Sequence, residues 1–423
     1  MISSTENVNK LADHLFRHEA GKMVAVLTRI FGLPNIEIAE DIVQDAFAQA
    51  LKEWTFKTPP NPSAWLMMTA KNKAIDILRR ERFQKNYKEE AAYELQSEYS
   101  SIPIIENLFM QSEIKDSQLR MVFACCHPSL SYTDQIAFTL KICSGFSVDE
   151  IAAALLSNSE KIKKRIQRAR KLISEKNIRF DIPVGIELKK RLDAVLHAIY
   201  LLFNEGYNSG NKSDLIRKDL CEEAIRLALM LTENEYINHS KCSALVALMS
   251  LLASRFESRL NDNGEIILLE EQDRTKWNKD LMNIGLSYLN NSAEGYEVTD
   301  YHIEAAIVAE HSIANNFAAT NWPRILELYN LLTKINPSPV VLLNRAIVIG
   351  KISGASKAIE EINGIPEVGK FIKTNYLFSA VLGEMYKQQK KFAEAKKYFE
   401  KAASLTNSEA EKKLIQKKIN RLK

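Results

Sequence analysis

Glycine and proline are scarce in this chain, with 14 glycines and 11 prolines in 423 residues. No segment sustains the alternation of apolar and polar residues that is typical of β-strands. Helix-breaking residues and strand patterns are therefore both rare, and the sequence predicts an all-α fold. The length allows two to four domains.

Long apolar runs are also missing. No stretch of 18 apolar residues occurs, and the N-terminus carries no apolar signal segment. The longest candidate, residues 244–253, is too short to span a bilayer and is expected to form a buried helix. Five cysteines, an odd number without disulfide-framework spacing, suit a reducing compartment. We therefore expect a cytoplasmic protein with no membrane partner.

Motifs of catalysis and metal binding are absent. Cys125, Cys126 and His127 are adjacent, a spacing that does not let three side chains converge on one ion. Glu205, Glu222 and Glu223 lie near His197 and Tyr207 along the chain, so an acid–base pair is conceivable there. The sequence contains no nucleophile elbow or phosphate loop to accompany such a pair. The sequence predicts neither an enzyme nor a metal or other cofactor.

The net charge of +4 is small, so any affinity for nucleic acid has to come from local patches. Residues 147–173 supply one, as two helices joined by a polar turn. Ile162, Ile166, Ala169 and Ile173 form one face of the second helix, and its other faces are basic: Lys161, Lys163, Lys164, Arg165, Arg168, Arg170 and Lys171. This pattern predicts a helix-turn-helix that enters a DNA major groove. A solvated charged helix is the alternative.

The N-terminal third contains a second unusual pair of helices. Residues 36–54 predict a helix with an acidic face, and a proline-rich loop at 55–62 follows it. Ser63 is the expected cap of the next helix, residues 64–82, which changes from aromatic to basic along its length. A basic helix end binds phosphates, and aromatic residues hold unstacked bases. A plain helical hairpin with Trp54 and Trp65 in its core is the alternative.

These segments carry a resemblance to a known family. Residues 11–82 resemble region 2, and residues 116–176 region 4, of an extracytoplasmic-function (ECF) sigma factor of the sigma-70 family. The similar motifs are EDIVQDAF at 40–47, PSAWL at 62–66 with NKAIDILRR at 72–80, and EIA at 150–152 with IKKRIQRARK at 162–171. The resemblance implies a helical bundle for region 2 and a helix-turn-helix for region 4.

The resemblance also implies roles for individual residues. The core RNA polymerase would be bound by Asp41, Val43, Gln44, Asp45 and Phe47. The promoter −10 element would be bound by Phe56, Asn61, Trp65, Lys71, Asn72, Lys73, Arg79 and Arg80. The −35 element would be read by Ser159, Glu160, Lys161, Lys163, Lys164, Arg165 and Arg168. Two departures, Leu156 for a common glycine and Lys161 for a common threonine, leave the promoter sequence open.

A long extension follows the two regions. We expect region 2 at 1–82, an acidic linker at 83–115, region 4 at 116–180, a helical extension of unknown role at 181–320 and tetratricopeptide (TPR)-like repeats at 321–423. The clearest repeat places Leu382, Gly383, Tyr386, Ala395, Phe399 and Ala402 at TPR intervals, and a weaker copy includes Ala346 and Ala358. Such repeats stack into a solenoid that presents a concave surface to a protein partner.

The expected function is that of an ECF sigma factor that directs initiation at specific promoters and is regulated through its fused extension. Two other readings stay open. One is a helix-turn-helix regulator that binds duplex DNA unaided and carries a TPR partner-binding domain. The other is a TPR scaffold on which the basic helix is incidental.

Overall fold

The computed structural model describes residues 2–86, 105–155, 157–208, 216–234, 237, 239–295, 297–406 and 408–422. Over these residues the fold is all-α, as the sequence predicts, and its extended pairing is limited to one antiparallel bridge between Leu260 and Ile266. The chain divides into two compact units, residues 1–202 and 203–423. No helix in the described ranges is both long and apolar enough to cross a membrane.

Three helices form the first bundle of the N-terminal unit: α1 (Ile2–Phe31), α2 (Ile36–Glu53) and α3 (Pro62–Asn86). A short turn at Leu33–Asn35, entered through Gly32 at φ 83°, lets α1 and α2 pack along each other. Edge-to-face aromatic pairs join the helices, with Trp54 and Trp65 at 5.5 Å between ring centroids. Both α1 and α3 are longer than the apolar periodicity predicts, because polar residues extend them at their outer ends.

The start of α3 differs from the expectation. Asn61 is the capping residue, since its Oδ1 accepts a hydrogen bond from the Ala64 backbone N–H at 3.1 Å. Ser63, the predicted cap, lies inside the first turn. Pro62 explains the shift, because a proline lacks the N–H that is unpaired at the first helical position and its fixed φ suits a helix. The cap therefore precedes the proline.

A second bundle in the same unit contains α4 (Gln111–Cys125), α5 (Tyr132–Ile142), α6 (Val148–Ala154) and α7 (Ser159–Glu175). It packs closely on α1: a Cβ on Gly21 would lie 2.1 Å from the Cys143 carbonyl oxygen, so only glycine fits there. The next helix, α8 (Gly185–Tyr207), adds Arg191, whose Nη2 donates to the Phe123 carbonyl at 2.6 Å. The beginning of α8 thus belongs to this core.

The C-terminal unit begins with α9 (Lys218–Thr232), α10 (His239–Ala253), α11 (Lys279–Ser292) and α12 (Asp300–Ile313). Helix α10 is buried along almost its whole length, which confirms the buried helix expected at 244–253. The sequence pattern over 242–259 predicts an amphipathic helix, and this prediction is wrong in two respects. The α-helix ends at Ala253, where the Ser254 and Ser258 hydroxyls bond to nearby carbonyls, and it is apolar on all faces.

Between α10 and α11 the chain forms a long ordered loop. It contains short 3-10 turns at Phe256–Ser258, Leu269–Glu271 and Arg274–Lys276. The Asp262-Asn263-Gly264 sequence predicts a turn, and Gly264, with φ 72°, confirms it. The Asn278 N–H donates to the Ser254 carbonyl at 2.8 Å and closes the base of the loop.

Helical hairpins complete the unit. They are built from α13 (Trp322–Ile335), α14 (Pro339–Ser353), α15 (Ala355–Asn363), α16 (Val368–Thr374), α17 (Tyr376–Gln388), α18 (Phe392–Leu405) and α19 (Glu409–Asn420). Residues that the repeat pattern singled out lie where small and large side chains interlock: a Cβ on Gly383 would lie 2.7 Å from Phe399 Cδ1, and Ala395 is fully buried. The assignment of these hairpins to the TPR type stays a prediction.

Candidate nucleic-acid interface

The outer face of α2 is polar and acidic. Asp41, Gln44 and Asp45 are exposed and stand three and four residues apart, so they share one face of the helix. Val43 and Phe47, which the resemblance groups with them, are 1% and 5% exposed and pack into the bundle. The exposed part of the expected polymerase surface is therefore smaller than the motif: Val43 and Phe47 shape it from below.

Beside this face, α2 is tied to α7. Arg170 donates through Nη1 to Glu37 Oε1 at 3.0 Å and through Nη2 to Glu40 Oε2. Burial raises the pKa of Glu40, and the charge and hydrogen bond of Arg170 act against that rise. One arginine of the predicted DNA-reading helix is thus engaged with region 2 in this structure.

The loop between α2 and α3 presents a single large aromatic side chain to solvent. Phe56 is 93% exposed, whereas Trp54 is buried and Trp65 half-buried in the pair that anchors the loop. Single exposed apolar side chains are common on protein surfaces, so the exposure of Phe56 is informative only together with the basic helix that follows it. Phe56 stands where a base can stack on it, and Trp54 and Trp65 support the loop.

The basic side chains of α3 fall into two groups. Asn72, Arg79 and Arg80 are exposed. Lys71 and Lys73 are half-buried and form ion pairs, Lys71 with Glu106 at 3.7 Å and Lys73 with Asp45 at 3.6 Å. Lys73 therefore links the expected −10 surface to the expected polymerase surface.

A cleft that the sequence did not predict lies at the start of α3. It has a volume of about 420 Å³ and is bordered by α1, α3 and residues 106–114. Its lining includes Asn61 and Lys71 as well as Met68 and Met110, two methionines that are more than half exposed. Segments far apart in the chain form it, so no local pattern could have revealed it.

Helix α7 has the amphipathic form that the sequence predicts. Ile162, Ile166, Ala169 and Ile173 are its buried residues. Asn158 caps it, with Oδ1 accepting from the Lys161 N–H at 2.9 Å, and the Ser159 hydroxyl donates to Asp149 of α6 at 2.5 Å. Asp149 thereby fixes the start of α7 against the preceding helix, in the helix-turn-helix arrangement. Leu156, in the turn, lies outside the described residues.

The predicted DNA-reading side chains of α7 differ in their exposure to solvent and in their ion pairs. Lys161, Lys163 and Lys164 are exposed, and Lys163 pairs with Glu160 at 3.0 Å across one turn. Arg165 is half-buried. Arg168 is 56% exposed, yet its Nη1 lies 3.3 Å from Oδ2 of Asp134, a carboxylate that is 1% exposed. Arg168 therefore neutralises a buried charge in addition to facing solvent.

Cys125 and Cys126 lie in the core, and His127, the next residue, is half-buried. Burial raises the pKa of the Cys126 thiol to about 12, and burial also raises the pKa of the Cys125 thiol. The sulfurs of Cys125 and Cys143 lie 3.9 Å apart. Nδ1 of His127 accepts from the Ser129 N–H at 3.1 Å. Within the part of the chain that the structure describes, no group of three His, Cys, Asp or Glu side chains is arranged to hold a metal ion.

Comparison with known families matches three segments. Residues 15–84 match sigma-70 region 2, and residues 120–173 match sigma-70 region 4. Residues 191–293 match a family of unknown function, DUF6596. The first two segments contain the α2 face, the Phe56 loop, the basic side of α3 and α7.

Comparison with individual proteins gives a relative of similar length. An uncharacterised protein of Rhizobium meliloti (strain 1021) is 33% identical over 390 residues, which cover 92% of this chain and 90% of that protein. No solved structure matches the chain. The similarity thus extends through the C-terminal unit as well as through the two matched regions.

Proposed function

Because this chain belongs to the sigma-70 family, as a sigma factor with a C-terminal extension, we propose that it is of the ECF type and is regulated through that extension. Regions 2 and 4 make it a factor for transcription initiation, whose partners are core RNA polymerase and promoter DNA. Within this proposal, the observation that carries the assignment of promoter recognition is the exposure of Phe56 next to a basic helix, in the segment that matches region 2.

Polymerase docking is assigned to the exposed face of α2. Asp41 and Asp45 give it negative charge, and Gln44 adds a hydrogen-bonding group between them. Complementary charge steers association and sets the orientation of docking, so the surface that receives α2 is expected to be basic. Val43 and Phe47 hold the helix at its angle from inside the bundle.

Recognition of the −10 element is assigned to the loop and to α3. Phe56 provides an exposed ring on which an unstacked base is held, and Asn61 lies at the end of the same loop. Asn72, Arg79 and Arg80 extend the surface along α3 as phosphate contacts. Lys71 and Lys73 join this surface once DNA phosphates compete with Glu106 and Asp45 for them.

Recognition of the −35 element is assigned to the first three turns of α7. The N-terminal residues of a recognition helix reach base edges, and residues further along contact phosphates. Ser159, Glu160 and Lys161 occupy the first turn, and Lys163, Lys164 and Arg168 follow. Arg170 is kept out of this set because it is bonded to Glu37 and Glu40.

The extension is proposed to act through a protein partner on its hairpins. Its support is the placement of the repeat residues: Gly383 against Phe399, and Ala346 and Ala358 buried in the neighbouring hairpin. These small residues let paired helices approach closely, as stacked repeats require. A solenoid of such repeats would present a concave face to the partner.

Substitution of Phe56 tests the assignment of −10 recognition to the loop between α2 and α3. Holoenzyme made with Phe56→Ala should bind core polymerase normally but lose open-complex formation about tenfold, because base–aromatic stacking contributes about 1–3 kcal/mol. Permanganate reactivity of promoters selected by binding to the wild-type holoenzyme measures the melted strand.

The matched control is Phe392→Ala, which removes a partly exposed phenylalanine at the start of α18. It should melt promoters as the wild type does. Normal open-complex formation by Phe56→Ala holoenzyme would remove Phe56 from the −10 surface and would favour a regulator that binds duplex DNA.

A further inference from the structure

Three arginines of the C-terminal unit lie over two aromatic rings, Arg255 and Arg274 over Trp277 and Arg259 over Tyr207. The guanidinium carbon of Arg274 lies 4.6 Å from the ring centroid of Trp277, and that of Arg255 lies 5.8 Å from it. Arg259 lies over the Tyr207 ring at 3.7 Å, and Arg255 Nη2 donates to the Tyr207 hydroxyl at 3.0 Å. No carboxylate of the described residues forms an ion pair with any of the three arginines.

Two of the three arginines, Arg259 and Arg274, bind carbonyl groups at the C-terminal ends of helices. Arg259 donates to the Tyr207 carbonyl at the end of α8 and to Asn208 Oδ1 at 2.6 Å. Arg274 donates to the His311 and Ala314 carbonyls at the end of α12, each at 2.6 Å. The C-terminus of a helix carries about half a negative charge, so each arginine is partly compensated.

Arg255 has no such partner. It is 9% exposed, makes its hydrogen bond to a neutral phenol, and has an Nε–H without an acceptor among the described residues. A buried charge is costly unless it is paired, and the neighbouring arginines add repulsion. The cluster thus holds more positive charge than the described residues around it neutralise.

Unused hydrogen-bond donors lie in the same place. Trp277 is 4% exposed and its Nε1–H lacks an acceptor in the described part of the chain, as does Nη2 of Arg274. His311 is close by, and burial together with Arg255 and Arg274 lowers its pKa to about 4, so it adds no positive charge at neutral pH. Ordered water can satisfy donors of this kind, but it does not offset the charge of Arg255.

We propose that Arg255, Arg274 and Trp277 form a binding site for a small oxyanion of phosphate type in the C-terminal extension. Planar guanidinium groups bind phosphate through paired N–H donors, and the indole N–H supplies a further donor. Such an anion supplies the negative charge that Arg255 lacks and ties the loop after α10 to the end of α12. The extension then has a ligand of its own, in addition to polymerase and DNA.

Thermal unfolding of the full chain with inorganic phosphate, at constant ionic strength, tests the site. Phosphate at about ten times its dissociation constant should raise the melting temperature by about 2 °C or more, because it binds the folded state alone. Acetate serves as the carboxylate probe and should give a smaller shift. Isothermal titration with phosphate should give one site per chain.

Two variants locate the response, and a third is the control. Arg255→Met should abolish the phosphate shift, and Trp277→Phe should weaken it while it preserves the aromatic ring, which matters if Arg255→Met fails to fold. Arg324→Gln removes an exposed arginine of α13 and should keep the wild-type shift. An equal shift in wild type, Arg255→Met and Trp277→Phe would overturn the proposal.

An internal carboxylate is the competing explanation, and Asp214 lies in the sequence between Tyr207 and Arg255, outside the described residues. If phosphate stabilises Asp214→Asn but not the wild type, the counter-charge belongs to the chain and the small-anion site is refuted. A phosphate shift already present in the wild type, and lost in Arg255→Met, supports it.

Discussion

At the scale of single residues, burial sorts the polymerase motif into two functions. Asp41, Gln44 and Asp45 are exposed, whereas Val43 and Phe47 are in the core. The sequence already contained this division, because apolar residues at helical spacing point inward. Surface side chains of the motif are therefore the ones whose substitution should affect docking without affecting the fold.

Charge reversal at Asp45 tests the assignment of the α2 face. Asp45→Arg should weaken core polymerase binding at least about tenfold, since a like charge against a basic partner surface costs several kcal/mol. Its side chain is 71% exposed and its ion pair with Lys73 is long, so stability should hardly change. Fluorescence anisotropy with purified core polymerase measures the binding.

Asp13→Arg is the matched control, because it makes the same charge change on an exposed position of α1. Equal binding by the Asp45→Arg and wild-type chains would place the docking surface elsewhere. Equal loss in Asp13→Arg would point to overall charge as the cause.

Glu205 shows what the sequence could not reveal about a single side chain. Burial on α8 raises its pKa from 4.5 to about 7. In the unfolded chain the carboxyl releases its proton near pH 4.5, whereas in the folded chain it keeps the proton to about pH 7. The contribution of this group to the free energy of unfolding is therefore largest below pH 4.5, and it is lost as the pH rises through 7.

Glu205→Gln should therefore leave stability little changed at pH 4 and increase it at pH 8. The gain should be about 1–2 kcal/mol, less than the full shift implies because the carboxyl is partly exposed. Thermal unfolding at the two pH values measures it, and Glu222→Gln, at an exposed position of α9, is the control. The same increase at both pH values would mean that Glu205 is not protonated in the folded chain.

At the scale of elements, helix α7 was the most predictable part of the molecule. Its four buried residues are those that the 3.6-residue period selects. Its partners were not predictable: Asp134 lies 34 residues before Arg168, and Glu37 and Glu40 lie more than a hundred residues before Arg170. Local pattern specifies which face of a helix is buried, and only the tertiary fold specifies which charges meet.

The long-range partners change how α7 should be tested. Lys164→Glu removes and reverses a phosphate-directed charge at an exposed position, and should lower promoter affinity about tenfold at fixed salt while the fold is kept. Arg168→Ala should lower affinity too, but also stability by about 1–2 kcal/mol, because Asp134 stays buried without its partner. Electrophoretic mobility shift and thermal unfolding separate the two effects.

Lys397→Glu, on α18, is the charge-matched control and should leave promoter affinity unchanged. If Lys164→Glu holoenzyme binds its promoters as tightly as the wild type, α7 is not the −35 helix. If Arg168→Ala lowers promoter affinity but not thermal stability, the ion pair between Arg168 and Asp134 does not stabilise the fold.

The other elements show where local rules compete. The N-terminal cap of α3 is Asn61 and not the predicted Ser63, because Pro62 occupies the first helical position. The helix expected to Arg259 ends at Ala253, because serine hydroxyls satisfy the carbonyls there. Both helices were predicted, and the errors concern their boundaries and, for α10, the burial of all its faces.

At the scale of the whole molecule, the boundary between the two units lies within α8. The sequence expectation ends region 4 at residue 180, but Arg191, Leu192, Val195 and Ile199 are buried in the N-terminal unit, which extends to residue 202. The domain bounds stay a prediction. A truncation meant to isolate the sigma regions should nevertheless end at Leu202, because an end near residue 180 would remove Arg191 and leave the Phe123 carbonyl without its donor.

The central claim is that the chain places core RNA polymerase at promoters, and reconstitution with purified core polymerase tests it most directly. The full chain and a chain that ends at Leu202 are each assayed for core binding and for transcripts from promoters selected by the full-length holoenzyme. The account predicts that the full chain binds core polymerase and initiates at defined start sites, with a changed transcript yield from the shortened chain. A full chain that folds but neither binds core polymerase nor supports initiation would contradict it.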